Sequence, residues 1–322
     1  MTPSLRTHLS PDGTGRLVTR RELLTSIGGA AAASSLRRST DTQAVADSPL
    51  HIRVYPGPVS LRAWISHGFD GVHQDWPPPF RDAVSAVEGA LEQILSYAHD
   101  RSRLEGLEAR VERGELVRFP LSATPLSSEA VVPTLETVLD VFRAQLRARN
   151  ALTGSACHLL LCWSPFNYRL GYGGTLSPNA LVGNDAAGTT GDATTVANLG
   201  ATELWDSRAV TRNMAIHELL HTILSSDVAE GVGGSRCDHD LGTAVRIDDD
   251  TMRVSPMATA YAGPDEIGGG TRWQGRGCAN HDSFHRHDGF DGVEHWTYTT
   301  DLSEATLEAV TRSLERLVFQ QP

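Results

Sequence analysis

Between positions 50 and 55 apolar and polar side chains alternate, Leu50-His51-Ile52-Arg53-Val54-Tyr55, and the run stops at Pro56-Gly57-Pro58. A period of two lines one face of a strand, so this segment predicts the first core strand. Behind Pro77-Pro78-Pro79 the period changes. Val84, Val87, Leu91, Ile94, Leu95 and Ala98 recur at steps of three and four, which predicts a long amphipathic helix from about Phe80. Residues 115–121 read as a short strand and 133–149 as a second helix, through Leu135, Val138, Leu139, Phe142 and Leu146. Cys157-His158-Leu159-Leu160-Leu161-Cys162-Trp163 is short and apolar and closes at Ser-Pro, as a buried strand does. Weaker strands follow at 167–176 and 194–199, between Gly/Asn/Asp turns, and then a helix at 207–224. A long Gly/Asp-rich stretch reads as irregular chain, and a last helix runs from Ser303 to about Val318, with Ser303 and Glu304 suited to its N-terminus. Strands and helices interleave with no internal repeat. The prediction is an α/β (α+β) fold: a mixed, twisted sheet with long helices and a loop-rich C-terminal part.

The N-terminus reads as an address. Thr19-Arg20-Arg21-Glu22-Leu23-Leu24 leads into a mildly apolar Gly/Ala stretch, the layout of a twin-arginine export signal. We therefore expect a signal region at 1–33, a Ser/Thr/Asp-rich linker at 34–48, and a single folded domain at 49–322, with subdomains of about 49–225 and 226–322. The expected partner of the signal is the twin-arginine translocation machinery, and the expected location is outside the cell.

Charge narrows the partners. The 28 basic residues are all arginine and stand against 39 acidic ones, a formal net charge of -11. Residues 1–46 hold six arginines and three acids, so the remainder carries 22 bases against 36 acids, a net of -14. An acidic surface of this kind keeps a protein solvated in salt. The arginines are scattered, with no stripe to neutralise a phosphate backbone, and we expect no nucleic-acid partner. No apolar run approaches the roughly 20 residues of a spanning helix, so no integral membrane segment is expected.

An exported chain with four cysteines ordinarily contains disulfides. Cys157 and Cys162 lie five apart on a predicted strand, on opposite faces and roughly 17 Å apart, so they do not pair with each other. Cys237 and Cys278 both sit in the loop-rich part, where a bridge would constrain chain with little core of its own.

The chemistry concentrates at His217-Glu218-Leu219-Leu220-His221. Four residues advance a helix by about 400°, so the two imidazoles lie roughly 40° apart on one face and can share a metal, with Glu218 beside them to take a proton from an activated water. Ile216, Leu219, Leu220, Ile223 and Leu224 form the apolar stripe that makes the segment helical, and the histidines flank it.

This motif resembles that of the zincin metallopeptidases, and among them the metzincins. Those proteins follow the helix with a tight turn to a third ligand and then a methionine-containing turn beneath the metal. Ser255-Pro256-Met257-Ala258-Thr259-Ala260-Tyr261 resembles that turn, and the order of elements from about residue 50 to 319 is similar. The resemblance implies a metzincin-like fold, a Zn2+ cofactor and a peptide or protein substrate hydrolysed by an exported endopeptidase with Glu218 as general base. It also implies a packing role for Met257 and an oxyanion role for Tyr261, which here stands four residues past Met257.

The third ligand departs from the family pattern. Metzincins place a glycine three residues after the second histidine, where this chain has Leu224, and a His or Asp at the position of Asp227. The competing ligand is His239, in Cys237-Asp238-His239-Asp240, where Asp238 or Asp240 would accept its second N–H. The missing glycine and the prevalence of imidazole at zinc favour His239, and Asp227 stays open. Two other zincin patterns fit less well: Glu266 lies in the Gly-rich 263–270, and 242–248 only begins as GTxxDxxYG. His281, His285 and His287 form a second cluster, either a further metal site or a solvated loop. An edge strand near 167–174 would receive the peptide if the resemblance extends that far. Two further readings remain beside the peptidase: an exported binding or surface protein on the same scaffold, and a zinc amidase acting on something other than protein.

Overall fold

The computed structural model describes residues 16–18, 50–59, 76–119, 135–152, 156–163, 173–176, 192–199, 208–258 and 284–319. Its larger sheet contains β1 (Arg16–Val18), β2 (Leu50–Val59), β3 (Ala109–Arg113), β4 (Ala156–Trp163), β5 (Gly173–Leu176) and β6 (Ala193–Asn198), in the spatial order β1-β3-β2-β4-β6-β5. Strands β3, β2, β4 and β6 are mutually parallel, whereas the outer strands β1 and β5 run antiparallel to their neighbours. The fold is therefore mixed α/β.

Period-two patterning decides what each face of this sheet buries. On β4, Cys157, Leu159, Leu161 and Trp163 enter one core, together with Ile52 and Val54 of β2. Leu160 and Cys162 enter the opposite core with Tyr55. Helices α1 (Pro78–Arg101), α3 (Arg208–Leu220) and α5 (Glu304–Phe319) pack on the first face, and α2 (Leu135–Ala148) covers the second through Phe142 and Leu146. Cys157 and Cys162 thus point to opposite sides, and both are free, buried thiols.

Several elements differ from expectation. The strand read at 115–121 lies instead at Ala109–Arg113, where Ala109 and Val111 alone point inward. Two apolar residues are too few to show a period, and it is parallel pairing with β2 that makes the segment a strand. Gly114 ends it, since a Cβ there would lie 2.3 Å from the Tyr55 ring. Arg16–Val18, inside the region read as a signal, pairs with β3, whose outer edge would otherwise offer unpaired backbone groups.

The stretch read as irregular holds α4 (Ser226–Gly233), a single 3-10 turn (Asp238–Leu241) and a second sheet in the order β10-β8-β7-β9. Its strands are β7 (Thr243–Arg246), β8 (Thr251–Val254), β9 (Arg286–His287) and β10 (His295–Tyr298). At four residues or fewer, none is long enough to display alternation. Among the described residues no helix is long and apolar enough to cross a membrane.

Helix α3 is held on two sides. Ala215, Ile216, Leu219 and Leu220 enter the main core, while Val210 and Met214 pack with Ala244, Met252, Val254 and Tyr298 of the small sheet. Asn213 donates to the carbonyls of Val254 and Thr299, at 3.2 and 2.9 Å. Both cores therefore fix the rotation of the helix that carries His217 and His221.

Candidate metal centre

His217 and Glu218 lie in the last turn of α3, and His221 follows it with its N–H still bonded to the His217 carbonyl at 3.3 Å. The two Nε2 atoms are 2.9 Å apart. His239, on the 3-10 turn, brings its Nε2 to 3.2 Å from that of His221. One donor atom from each of the three rings falls within 4.8 Å of the others. Tetrahedral donors at the usual zinc–nitrogen length of about 2.1 Å would stand about 3.4 Å apart, close to the spacing these imidazoles show. The set contains three donors among the described residues.

Asp227, the alternative left open by the sequence, is not brought together with these three. It sits in the first turn of α4, where Oδ1 accepts from the Ser225 hydroxyl at 2.6 Å and Oδ2 pairs with Arg316 of the last helix. The reason lies in how α3 stops. Thr222 and Ile223 bond back three residues, to Leu219 and Leu220, and tighten the chain. Ser225 is then extended, with φ -108° and ψ 139°, and its hydroxyl caps α4 by accepting from the Val228 N–H. No residue in this turn takes a positive φ, so Leu224 needs none of glycine's freedom and is fully buried.

The turn that carries His239 is fastened at several points. Cys237 is disulfide-bonded, and Cys278 lies outside the described residues. Asp240 accepts from Ser235, and the Leu241 carbonyl accepts from Ser303 and Thr306. Ser303 is the cap foreseen for the last helix, accepting from the Thr306 N–H at 3.0 Å. Gly242 lies against the methionine turn, where a Cβ would come within 2.1 Å of the Ala258 nitrogen. Met257 is wholly buried at φ 75°, a conformation that costs a non-glycine residue roughly 1 kcal/mol.

Asp238 takes a place that sequence reasoning missed. Offered above as a partner for His239, it instead has Oδ2 2.6 Å from Nδ1 of His221. The signal available in the sequence was a carboxylate beside the candidate His239, with nothing to say which imidazole it would meet.

Electrostatics separate the roles. Burial, reinforced by the neighbouring imidazoles, holds His217 well below its ordinary range. Burial would also lower His221, but the charge and hydrogen bond of Asp238 outweigh it and raise the ring to about 9. Burial would raise Asp238, and the same pairing with His221 holds it far below the usual carboxylate range. Glu218 is pushed up to about 7, chiefly by burial. It is 4% exposed, and its Oε2 has no hydrogen-bond partner among the described residues. A buried carboxyl left unsatisfied costs about 1–3 kcal/mol or more, which structural residues rarely sustain without a use.

The remaining candidates stand apart. Tyr261, Glu266, His281 and residues 167–172 lie outside the described residues. His285 is exposed, and the ring of His287 packs edge-on against Phe290 at 4.2 Å, with neither in a metal-binding group among the described residues. No family model and no curated protein matches the sequence.

Proposed function

We propose that this chain is an exported, zinc-dependent endopeptidase with His217, His221 and His239 as metal ligands and Glu218 as general base. One observation carries the reading: three imidazole nitrogens converge beside a buried carboxyl whose Oε2 has no partner among the described residues. A structural zinc site calls for four protein ligands, whereas three ligands and an idle carboxyl suit catalysis. Zinc held there would polarise a scissile carbonyl and acidify a water.

The protein's own groups then have defined tasks. Glu218, poised near neutrality, takes the proton of the attacking water and passes it to the departing amine. Its backbone carbonyl accepts from the Thr195 hydroxyl at 3.2 Å, which ties the base to strand β6. The neighbouring β5 is antiparallel and is the outermost strand among the described residues, and Gly173-Gly174 leave its backbone open to close approach. A peptide added along that edge would run beside the helix bearing the ligands. The methionine turn beneath the 3-10 turn and the terminal helix further support the resemblance to metzincins. The resemblance and the Arg20-Arg21 segment support export.

The test is hydrolysis of a fluorogenic peptide pool in high salt by the purified protein, with chelation, zinc restoration and Glu218→Gln. Cleavage abolished by chelator, restored by zinc and lost in Glu218→Gln is expected. A folded, zinc-loaded protein that cleaves no peptide would sink the peptidase reading and shift weight to an amidase of other substrates.

A further inference from the structure

We propose that Asp238 is the positioning residue of this centre: supplied by the same short turn as His239, its carboxylate fixes the ring of His221 so that Nε2 faces the shared metal point. The inference rests on the metal-binding reading given above and adds to it a residue that is not a ligand.

The geometry sets the carboxylate directly behind one of the three rings. Oδ2 stands 2.6 Å from Nδ1 of His221, on the opposite side of the ring from the nitrogen that faces His217 and His239. A carboxylate there accepts a hydrogen bond from Nδ1–H and favours, for the neutral ring, the tautomer with a bare lone pair on Nε2, which a metal requires. Without it the neutral ring is free to carry its proton on Nε2, facing two imidazoles at 2.9 and 3.2 Å, and in that form it cannot ligate. A negative charge behind the ring also strengthens it as a donor.

The adjacency of Asp238 and His239 has a consequence for assembly. One turn delivers a ligand of its own and, in the preceding residue, the partner of a ligand from α3. Docking the turn completes the ligand set and orients His221 in one event. Asp240, two residues on, is held by Ser235 and helps to fasten the turn.

The experiment is metal binding by the full chain, with zinc affinity read by chelator competition and the ligand field read from the visible absorption of the Co2+ form. Asp238→Ala should weaken zinc about 10–100-fold and reduce the tetrahedral Co2+ absorption. Asp238→Asn keeps an acceptor without the charge and should fall between Ala and the wild type, a graded rescue that loss of packing alone would not give. Asp249→Asn, at an exposed acid outside this turn, should bind as wild type. The melting temperature of each protein in chelator reports the fold separately, and if Asp238→Ala does not fold, Asp238→Asn decides. Wild-type affinity and an unchanged Co2+ spectrum in the Asp238 variants would overturn the positioning role while leaving the metal site standing. A wild-type protein that binds neither ion would overturn the metal reading itself, and this role with it.

Discussion

Replacing Glu218 by Gln should make the metal-free protein more stable, by a margin that opens above pH 4.5 and is complete above pH 7. The carboxyl titrates near 7 in the fold against an ordinary 4.5. Its folded-state affinity for the proton is therefore the higher one, and between pH 4.5 and 7 the unfolded chain has released a proton that the native state still holds. Stability from this group falls as the pH rises through that window. Each tenfold in proton affinity is worth about 1.4 kcal/mol, so the loss is complete above pH 7 at about 3 kcal/mol. The figure agrees with the cost of a buried, unpartnered charged oxygen, about 1–3 kcal/mol or more. Gln has the same shape and does not ionise. Urea unfolding in chelator should give matching stabilities for the two proteins at pH 4.5 and an advantage of about 3 kcal/mol for Glu218→Gln at pH 8. The other buried ionisable groups are present in both proteins and cancel to first order. A difference independent of pH, or a less stable variant at pH 8, would refute the claim that burial strains this carboxylate.

Three further outcomes are expected. Gly242→Ala places a methyl 2.1 Å from the Ala258 nitrogen, backbone that cannot step aside, so it should cost about 3 kcal/mol or more in urea unfolding and weaken zinc retention by parting the 3-10 turn from the methionine turn. Asp227 is lowered to about 2, first by the Ser225 hydroxyl and then by Arg316. Its contribution is present above pH 3.8 and lost as pH falls through 2. Solvent screening of this exposed pair limits Asp227→Asn to about 1 kcal/mol at pH 6, with zinc content and kcat/KM unchanged; a fall in zinc content would restore Asp227 as a ligand. Cys157 and Cys162 are pushed up to about 12 by burial, so neither should be alkylated in the native protein at pH 8, and both should be after unfolding without reductant, as read by peptide mass spectrometry.

Much of the main fold was legible because its segments are long or strongly patterned. The alternation at 50–55, the three-and-four spacing of α1 and the apolar run of β4 each match one geometry only. Ser303 was legible as a cap because a hydroxyl at that position satisfies an N–H that the helix itself leaves open. Strand β3 and the small sheet were not. Their segments carry too few apolar residues to show a period, and they become strands only through partners distant in the chain.

The site divides along the same line. His217, Glu218 and His221 lie within one turn of helix, so the 3.6-residue period alone brings them together, and the sequence by itself determined them. His239 and Asp227 were both chemically able, and local rules favoured His239 without excluding Asp227. The tertiary structure brings only His239 to the other two imidazoles, because the chain leaves α3 by a tight 3-10 bend and a serine cap that turn Asp227 to Arg316. Which imidazole Asp238 meets, and that Glu218 Oε2 meets none of the described polar groups, depend on the same packing. Such contacts join residues 17 and 18 positions apart across a turn with no period, and only the packed chain specifies them.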